Sequence, residues 1–131
     1  MGLDNKEYNL NLGMYRREIS QCSGPHRACR ELIKRVFPMV PVCEEVLLPG
    51  SGNLEADFLI PKYKIIIEVH GQQHYKANKH FYKSMADFKK AQMRDIKKQR
   101  WCAINNIIYL ELDDSKQDGW EQQIRRCYTE N

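Results

Sequence analysis

The chain has 131 residues, of which 42% are hydrophobic and 29% charged, and its formal net charge is +4. This length suits one compact domain, and the balance is that of a globular protein. No apolar run approaches the roughly 18 residues that span a bilayer, and the N-terminus lacks a secretory signal. We therefore expect a cytoplasmic protein without a membrane partner, whose positive charge favours a polyanionic ligand.

The first predicted helix follows an N-terminal extension. Residues 1–22 are polar and lack a clean period, so we place the folded domain at 23–131. Ser23 is a suitable N-cap, Pro25 fits the first helical turn, and Pro38 ends the helix.

The five cysteines form no CxxC pair, and inside a cell we expect reduced thiols. Cys22, His26 and Cys29 share a CxxxHxxC spacing at the start of the first helix. A structural zinc would need a fourth ligand from elsewhere. Ordinary buried thiols are the alternative for this cluster.

The remaining elements alternate between strands and helices. Four segments rich in β-forming residues are predicted strands: 42–48, 54–60, 65–69 and 107–112. Two segments with helical periodicity are predicted helices: 81–105 and 116–128. The order predicts an α/β domain with a mixed central sheet of about four strands flanked by helices.

The hairpin between the second and third strands carries two acids. A turn centred on Lys62 and Tyr63 places Asp57 opposite Glu68, on one face of the sheet. Two facing carboxylates repel each other unless a cation lies between them, and oxygen ligands of this kind suit Mg²⁺. His70 lies two residues beyond Glu68 and should therefore leave the strand on the same face.

These residues resemble a known nuclease pattern. Asp57, ten intervening residues and Glu68-Val69-His70 are similar to the motif of the PD-(D/E)XK nucleases, with His70 in place of the usual lysine and Ala56 in place of the usual proline. Segments 68–75, 94–98 and 105–108 resemble proteins related to very-short-patch repair endonucleases, including phage EDxHD homing endonucleases. The resemblance covers roughly residues 23–112.

The resemblance implies a restriction-endonuclease-like core and a metal-dependent DNA endonuclease. It implies metal binding by Asp57 and Glu68, with Mg²⁺ as cofactor and Mn²⁺ as a substitute. The phage branch implies an infected bacterial host as one setting. The resemblance also implies five further active-site residues: His26, His70, Gln73, His74 and Asp95. His26 takes the position at which relatives carry an acid early in the first helix.

Phosphodiester hydrolysis also needs proton transfer and contacts to DNA. Imidazole suits proton transfer near neutral pH, and the acid and base roles of His70 and His74 stay open. Gln73 is expected to orient water or bind a phosphate. Four residues are predicted to contact double-stranded DNA: Lys76, Lys90, Arg94 and Lys98. The alternative is that the charged residues form a solvated helix face.

The leading hypothesis is a site-specific, homing-type endonuclease or its catalytic domain. A mismatch-nicking repair endonuclease and a catalytically inactive DNA-binding domain are the alternatives. The oligomeric state is open, and a palindromic cut would require a homodimer.

Overall fold

The computed structural model describes residues 2–3, 24–70 and 85–129 of the chain. These residues form three helices and four strands in the predicted order. The elements are α1 (Gly24–Val36), β1 (Cys43–Leu47), β2 (Glu55–Ile60), β3 (Ile65–His70), α2 (Met85–Ile104), β4 (Ile108–Asp113) and α3 (Trp120–Thr129), with 3₁₀ turns at Pro61–Tyr63 and Asp114–Gly119.

The four strands form one mixed sheet in the order β1-β2-β3-β4. Strands β1, β2 and β3 are antiparallel neighbours, whereas β4 runs parallel to β3. A parallel neighbour needs a crossover connection, and α2 lies in that crossover. The prediction of an α/β domain with a four-stranded mixed sheet flanked by helices is confirmed.

Each face of the sheet carries its own buried core. Helices α1 and α3 pack on one face, against strand residues such as Phe58 and Ile67. Helix α2 packs on the other face, where Trp101 and Cys102 meet Leu59 and Ile66. Burial on both faces explains why β3 is almost continuously apolar in sequence.

The β2–β3 hairpin has the predicted register. Phe58 pairs with Ile67, and Ile60 pairs with Ile65 next to the turn. Lys64 closes the turn at φ 54°, and its N–H donates to the Pro61 carbonyl. Continued by one pair, this register brings Asp57 opposite Glu68.

The predicted closing helix is shorter in the structure. The periodicity of segment 116–128 predicts one helix, but α3 begins only at Trp120. The preceding turn is 3₁₀, and Lys116 departs from helical geometry with φ −129° and ψ 44°. The Asp113 carboxylate accepts the Ser115 N–H at 2.9 Å, which favours a turn over a regular helix start.

Several predictions concern segments outside the described residues. Most of the N-terminal extension is among them, although the Leu3 N–H donates to the Gly50 carbonyl at 2.9 Å. Cys22 is also outside, so the zinc hypothesis stays a prediction. In the described ranges, no helix combines the length and apolar character needed to cross a bilayer.

Candidate active site at the β2–β3 hairpin

Asp57 and Glu68 hold the two hairpin strands together through their side chains. The Asp57 N–H donates to Glu68 Oε2 at 2.6 Å, and the Val69 N–H donates to Asp57 Oδ2 at 2.9 Å. Along the hairpin, these two hydrogen bonds come directly after the last paired residues of β2 and β3, which are Phe58 and Ile67. The predicted cross-strand pair is therefore present, and each carboxylate is fixed by an amide of the opposite strand.

The strict alternation of side chains breaks at this pair. Ala56 belongs to the core on the α2 face, as Leu59 does, whereas Phe58 belongs to the core on the α1 face. Glu45, on the neighbouring strand, has φ 50°. Asp57 thus lies where the side chains of β2 stop alternating regularly between the two faces. Its negative charge helps to raise the pKa of Cys29 on one face and of Glu68 on the other.

Glu68 is an almost fully buried carboxyl group with 1% exposure. Burial and the neighbouring Asp57 carboxylate raise its pKa to about 7, and Lys98 opposes this rise. The Lys98 ammonium donates to Glu68 Oε1. The positive charge that the facing acids require is thus supplied by Lys98 of α2.

Helix α2 also brings a carboxylate to His70. Asp95 and Lys98 are three residues apart and therefore lie on one side of the helix. Asp95 Oδ1 lies 3.9 Å from His70 Nε2, and the histidine is buried with 3% exposure. As predicted, His70 and Glu68 leave β3 on the same face, the one that α2 covers.

Glu111 of β4 is a member of the site that sequence reasoning missed. It is the parallel-strand partner of Glu68, and its Oε2 lies 3.8 Å from His70 Nδ1. The Tyr109 hydroxyl and the Gln99 amide donate to its other oxygen, Oε1, at 3.2 and 3.5 Å. The sequence shows that Glu111 lies two residues after Tyr109, so both side chains should leave the strand on one face. It does not show which residue of β3 lies beside Glu111.

The pKa of Tyr109 reflects the negative charge of this region. Burial, followed by the Glu68, Glu111 and Asp95 carboxylates, raises the pKa of the Tyr109 phenol. Three acids from β3, β4 and α2 therefore act on one buried hydroxyl group. The region has an excess of negative groups, and such a concentration attracts cations.

His26 lies on the opposite face of the sheet from His70. Its ring stacks on Phe58 with centroids 4.4 Å apart, and Nε2 lies 2.7 Å from Glu44 Oε1. Arg30 binds the same carboxylate through Nε and Nη2. The structure does not bring His26 together with His70 and Asp95, and gives it a partner in this buried cluster instead.

Cys29, one turn after His26 on α1, is fully buried. Burial, then the Asp57 and Glu44 carboxylates, raise the pKa of its thiol. Because a zinc ligand is a thiolate, this environment disfavours metal binding by Cys29. It agrees with the alternative of an ordinary buried thiol.

The predicted DNA-binding residues divide into two groups. Lys90 and Arg94 are exposed on α2, where they line a shallow groove with Lys89 and Lys97. Lys98 is turned inward, with 16% side-chain exposure. Gln73, His74 and Lys76 lie outside the described residues.

Two viral proteins are similar to this chain. A stretch of 69 residues, 53% of the chain, is 41% identical to "Uncharacterized protein 307L" of Invertebrate iridescent virus 6 and covers 35% of it. A second stretch of 88 residues, 64% of the chain, is 31% identical to "Uncharacterized protein 033L" of Invertebrate iridescent virus 3 and covers 45% of it. The chain thus spans less than half the length of these relatives.

Neither viral name states an activity. No family model and no solved structure matches the chain.

Proposed function

We propose that this protein is a metal-dependent DNA endonuclease of the PD-(D/E)XK type, site-specific in the manner of homing enzymes. The observation that supports this most is the pair of carboxylates locked across the β2–β3 hairpin, with an ammonium and an imidazole beside them. Asp57 and Glu68 are the acids, and Lys98 and His70 are the neighbours. The mixed sheet with helices on both faces is compatible with a restriction-endonuclease-like core.

The donor chemistry of the hairpin fits a divalent cation. Asp57 and Glu68 offer carboxylate oxygens, the ligands that Mg²⁺ and Mn²⁺ accept. The raised pKa of Glu68 indicates that added positive charge would stabilise its ionised form. When bound, the ion would neutralise phosphate charge and lower the pKa of water.

Lys98 sets a condition for this binding. Its ammonium contacts Glu68 Oε1, and Glu68 Oε2 already accepts the Asp57 N–H. An ion that uses Glu68 must therefore share the carboxylate with Lys98 or shift the ammonium aside. A shifted ammonium stays near the site, where it would contact the phosphate group.

The chain supplies two candidate groups for proton transfer. His70 lies between the Asp95 and Glu111 carboxylates, which face its two ring nitrogens. His74 lies four residues further along the chain. An imidazole transfers protons efficiently near neutral pH, and flanking carboxylates orient its ring.

Helix α2 offers a surface for the DNA backbone. Lys89, Lys90, Arg94 and Lys97 are exposed on it, next to the site that Asp95 and Lys98 enter from the same helix. Lysine and arginine contacts to phosphates position DNA without reading its sequence. DNA held on this surface would have its backbone close to the hairpin acids.

The test is a nicking assay on supercoiled plasmid, with Mg²⁺ or with EDTA. The wild type should nick only with the metal, and Asp57→Asn and Glu68→Gln should lose at least about 100-fold in rate. Glu55→Gln, an exposed acid on the same strand, is the matched control and should nick normally. Full activity in either site variant, with a wild-type circular dichroism spectrum, would remove the proposal.

Two further outcomes separate the alternatives. Preferential nicking of duplexes that carry a T·G mismatch would favour the repair enzyme. DNA binding by the wild type without cleavage under any metal condition would favour the inactive DNA-binding domain.

A further inference from the structure

We propose that His70, Asp95 and Glu111 form a binding site for a first-row transition-metal dication, separate from the Asp57–Glu68 pair. One ligand atom from each residue, an imidazole nitrogen and two carboxylate oxygens, lies within 4.8 Å of the others. The three residues come from β3, α2 and β4. This inference concerns metal binding and holds whether or not the protein cleaves DNA.

The spacing of the three side chains is close to what an ion requires. With bonds of about 2.1 Å, neighbouring ligand atoms lie about 3.0 Å apart and opposite ones about 4.2 Å. Asp95 Oδ1 lies 3.9 Å from Nε2 of His70, whereas Glu111 Oε2 lies 3.8 Å from Nδ1, and an ion binds one of these two nitrogens. With one ligand atom per residue the atoms lie within 4.8 Å of one another, so the two carboxylates must move inward to complete the site. The side chains of Asp95 and Glu111, which are 18% and 31% exposed, have room to rotate.

Glu111 is oriented by groups outside the site. Tyr109 and Gln99 both donate to Oε1, which leaves Oε2 as the oxygen that faces His70. Hydrogen bonds of this kind commonly fix the direction of metal-binding carboxylates.

The donor set selects the class of metal. An imidazole nitrogen is a good ligand for Mn²⁺, Co²⁺, Ni²⁺ and Zn²⁺, whereas Mg²⁺ prefers oxygen and water. The Asp57–Glu68 pair offers oxygen ligands alone. The two sites should therefore differ in preference, and occupancy of the new site would assign His70 to the ion and leave proton transfer to His74.

The test uses Co²⁺ alone, without DNA, as a spectroscopic probe. The 131-residue protein is treated with EDTA, desalted and titrated with Co²⁺ while its visible absorption is recorded. The expected result is one tightly bound equivalent of Co²⁺ that a large excess of Mg²⁺ does not displace. Absence of a protein-dependent Co²⁺ band, or full displacement by Mg²⁺, would overturn the proposal.

Matched variants locate the ion. Glu111→Gln and Asp95→Asn keep the size of each side chain and should each weaken Co²⁺ affinity at least about tenfold. Glu55→Gln, at an exposed acid of β2 outside both sites, should bind Co²⁺ as the wild type does. Wild-type affinity in both Glu111→Gln and Asp95→Asn, or loss of the Co²⁺ band in Glu55→Gln alone, would refute the assignment.

The two proposals fail independently. If the protein binds Co²⁺ through Glu111 but never nicks DNA, the proposal of this metal site stands and the nuclease proposal fails. If the protein cleaves DNA but its Glu111→Gln variant binds Co²⁺ normally, the nuclease proposal stands and the proposal of this metal site fails.

Discussion

The ammonium group of Lys98, on helix α2, donates a hydrogen bond to Oε1 of Glu68, which lies on strand β3 thirty residues earlier in the chain. The contact joins the crossover helix to the hairpin, so the charge of the buried acid depends on how α2 packs. Burial and Asp57 raise the pKa of Glu68, while Lys98 lowers it. The availability of Glu68 as an ionised ligand is therefore set by three separate elements of the fold.

Replacing Lys98 with methionine should move the pH profile of nicking to higher pH. Without the ammonium, the pKa of Glu68 rises further, and more of the carboxyl is protonated at neutral pH. We expect nicking at pH 7 to fall at least about tenfold, with partial recovery in more alkaline buffer. The measurement is the nicking rate as a function of pH at saturating Mg²⁺.

Lys97→Met is the matched control for this variant. Lys97 is the preceding residue of α2 and is exposed. Its removal should lower DNA affinity without moving the pH profile. Identical profiles for the two variants would contradict the role given to Lys98.

The raised pKa of Glu68 also predicts how stability depends on pH. The ordinary pKa of 4.5 is raised to about 7 in the folded protein. Between these values the folded state keeps a proton that the unfolded state releases, so the free energy of unfolding falls as pH rises. The contribution of this group is up to about 3 kcal/mol, present below pH 4.5 and lost by about pH 7.

Urea unfolding in EDTA, at about pH 5 and about pH 7.5, measures this dependence. The wild type should lose more stability across the interval than Glu68→Gln, whose amide does not titrate. The difference between the two proteins isolates Glu68 from the other ionisable groups. Equal losses in both would show that Glu68 ionises normally in the folded state.

The buried cluster on the α1 face gives a prediction about stability alone. Arg30 contacts the Glu44 carboxylate through two nitrogens, and Glu44 is 3% exposed. Among the described residues, Arg30→Met leaves that buried carboxylate with His26 as its remaining partner, which should cost about 3 kcal/mol in the free energy of unfolding. Chemical denaturation checks this value.

Arg27→Met supplies the comparison for Arg30. Arg27 lies on the same helix and is exposed, so its removal should change stability by less than about 0.5 kcal/mol. If both variants unfold at the same urea concentration, the Arg30–Glu44 contact contributes little to stability.

Much of the fold followed from local patterns in the sequence. The run Ile65–Val69 predicted a central strand because it is apolar except at Glu68, and all three isoleucines are fully buried. Pro61 and Lys64 bound a tight turn, and a tight turn fixes the register on either side of it. The pairing of Asp57 with Glu68 was therefore predictable from chain positions alone.

The contacts between distant elements were not predictable in this way. The place of Glu111 depends on the register of a parallel pair, which is set by how the crossover packs rather than by a turn. Lys98 was expected at the DNA backbone because helical periodicity does not distinguish a lysine beside a buried acid from one in solvent. His26 was carried over by alignment, and its contact with Glu44 depends on how α1 lies on the sheet.

The exposed basic face of α2 predicts how DNA binding responds to salt. Each phosphate contact that is lost reduces the slope of log affinity against log salt by about 0.9, so Lys90→Ala with Arg94→Ala should lower it by about 1.8. The matched control is Arg27→Ala with Arg35→Ala, which removes the same charge from α1 on the other face of the sheet. Fluorescence anisotropy with a labelled duplex, repeated over a series of salt concentrations, gives both slopes. An equal change in the two double variants would show that DNA responds to net charge rather than to the α2 surface.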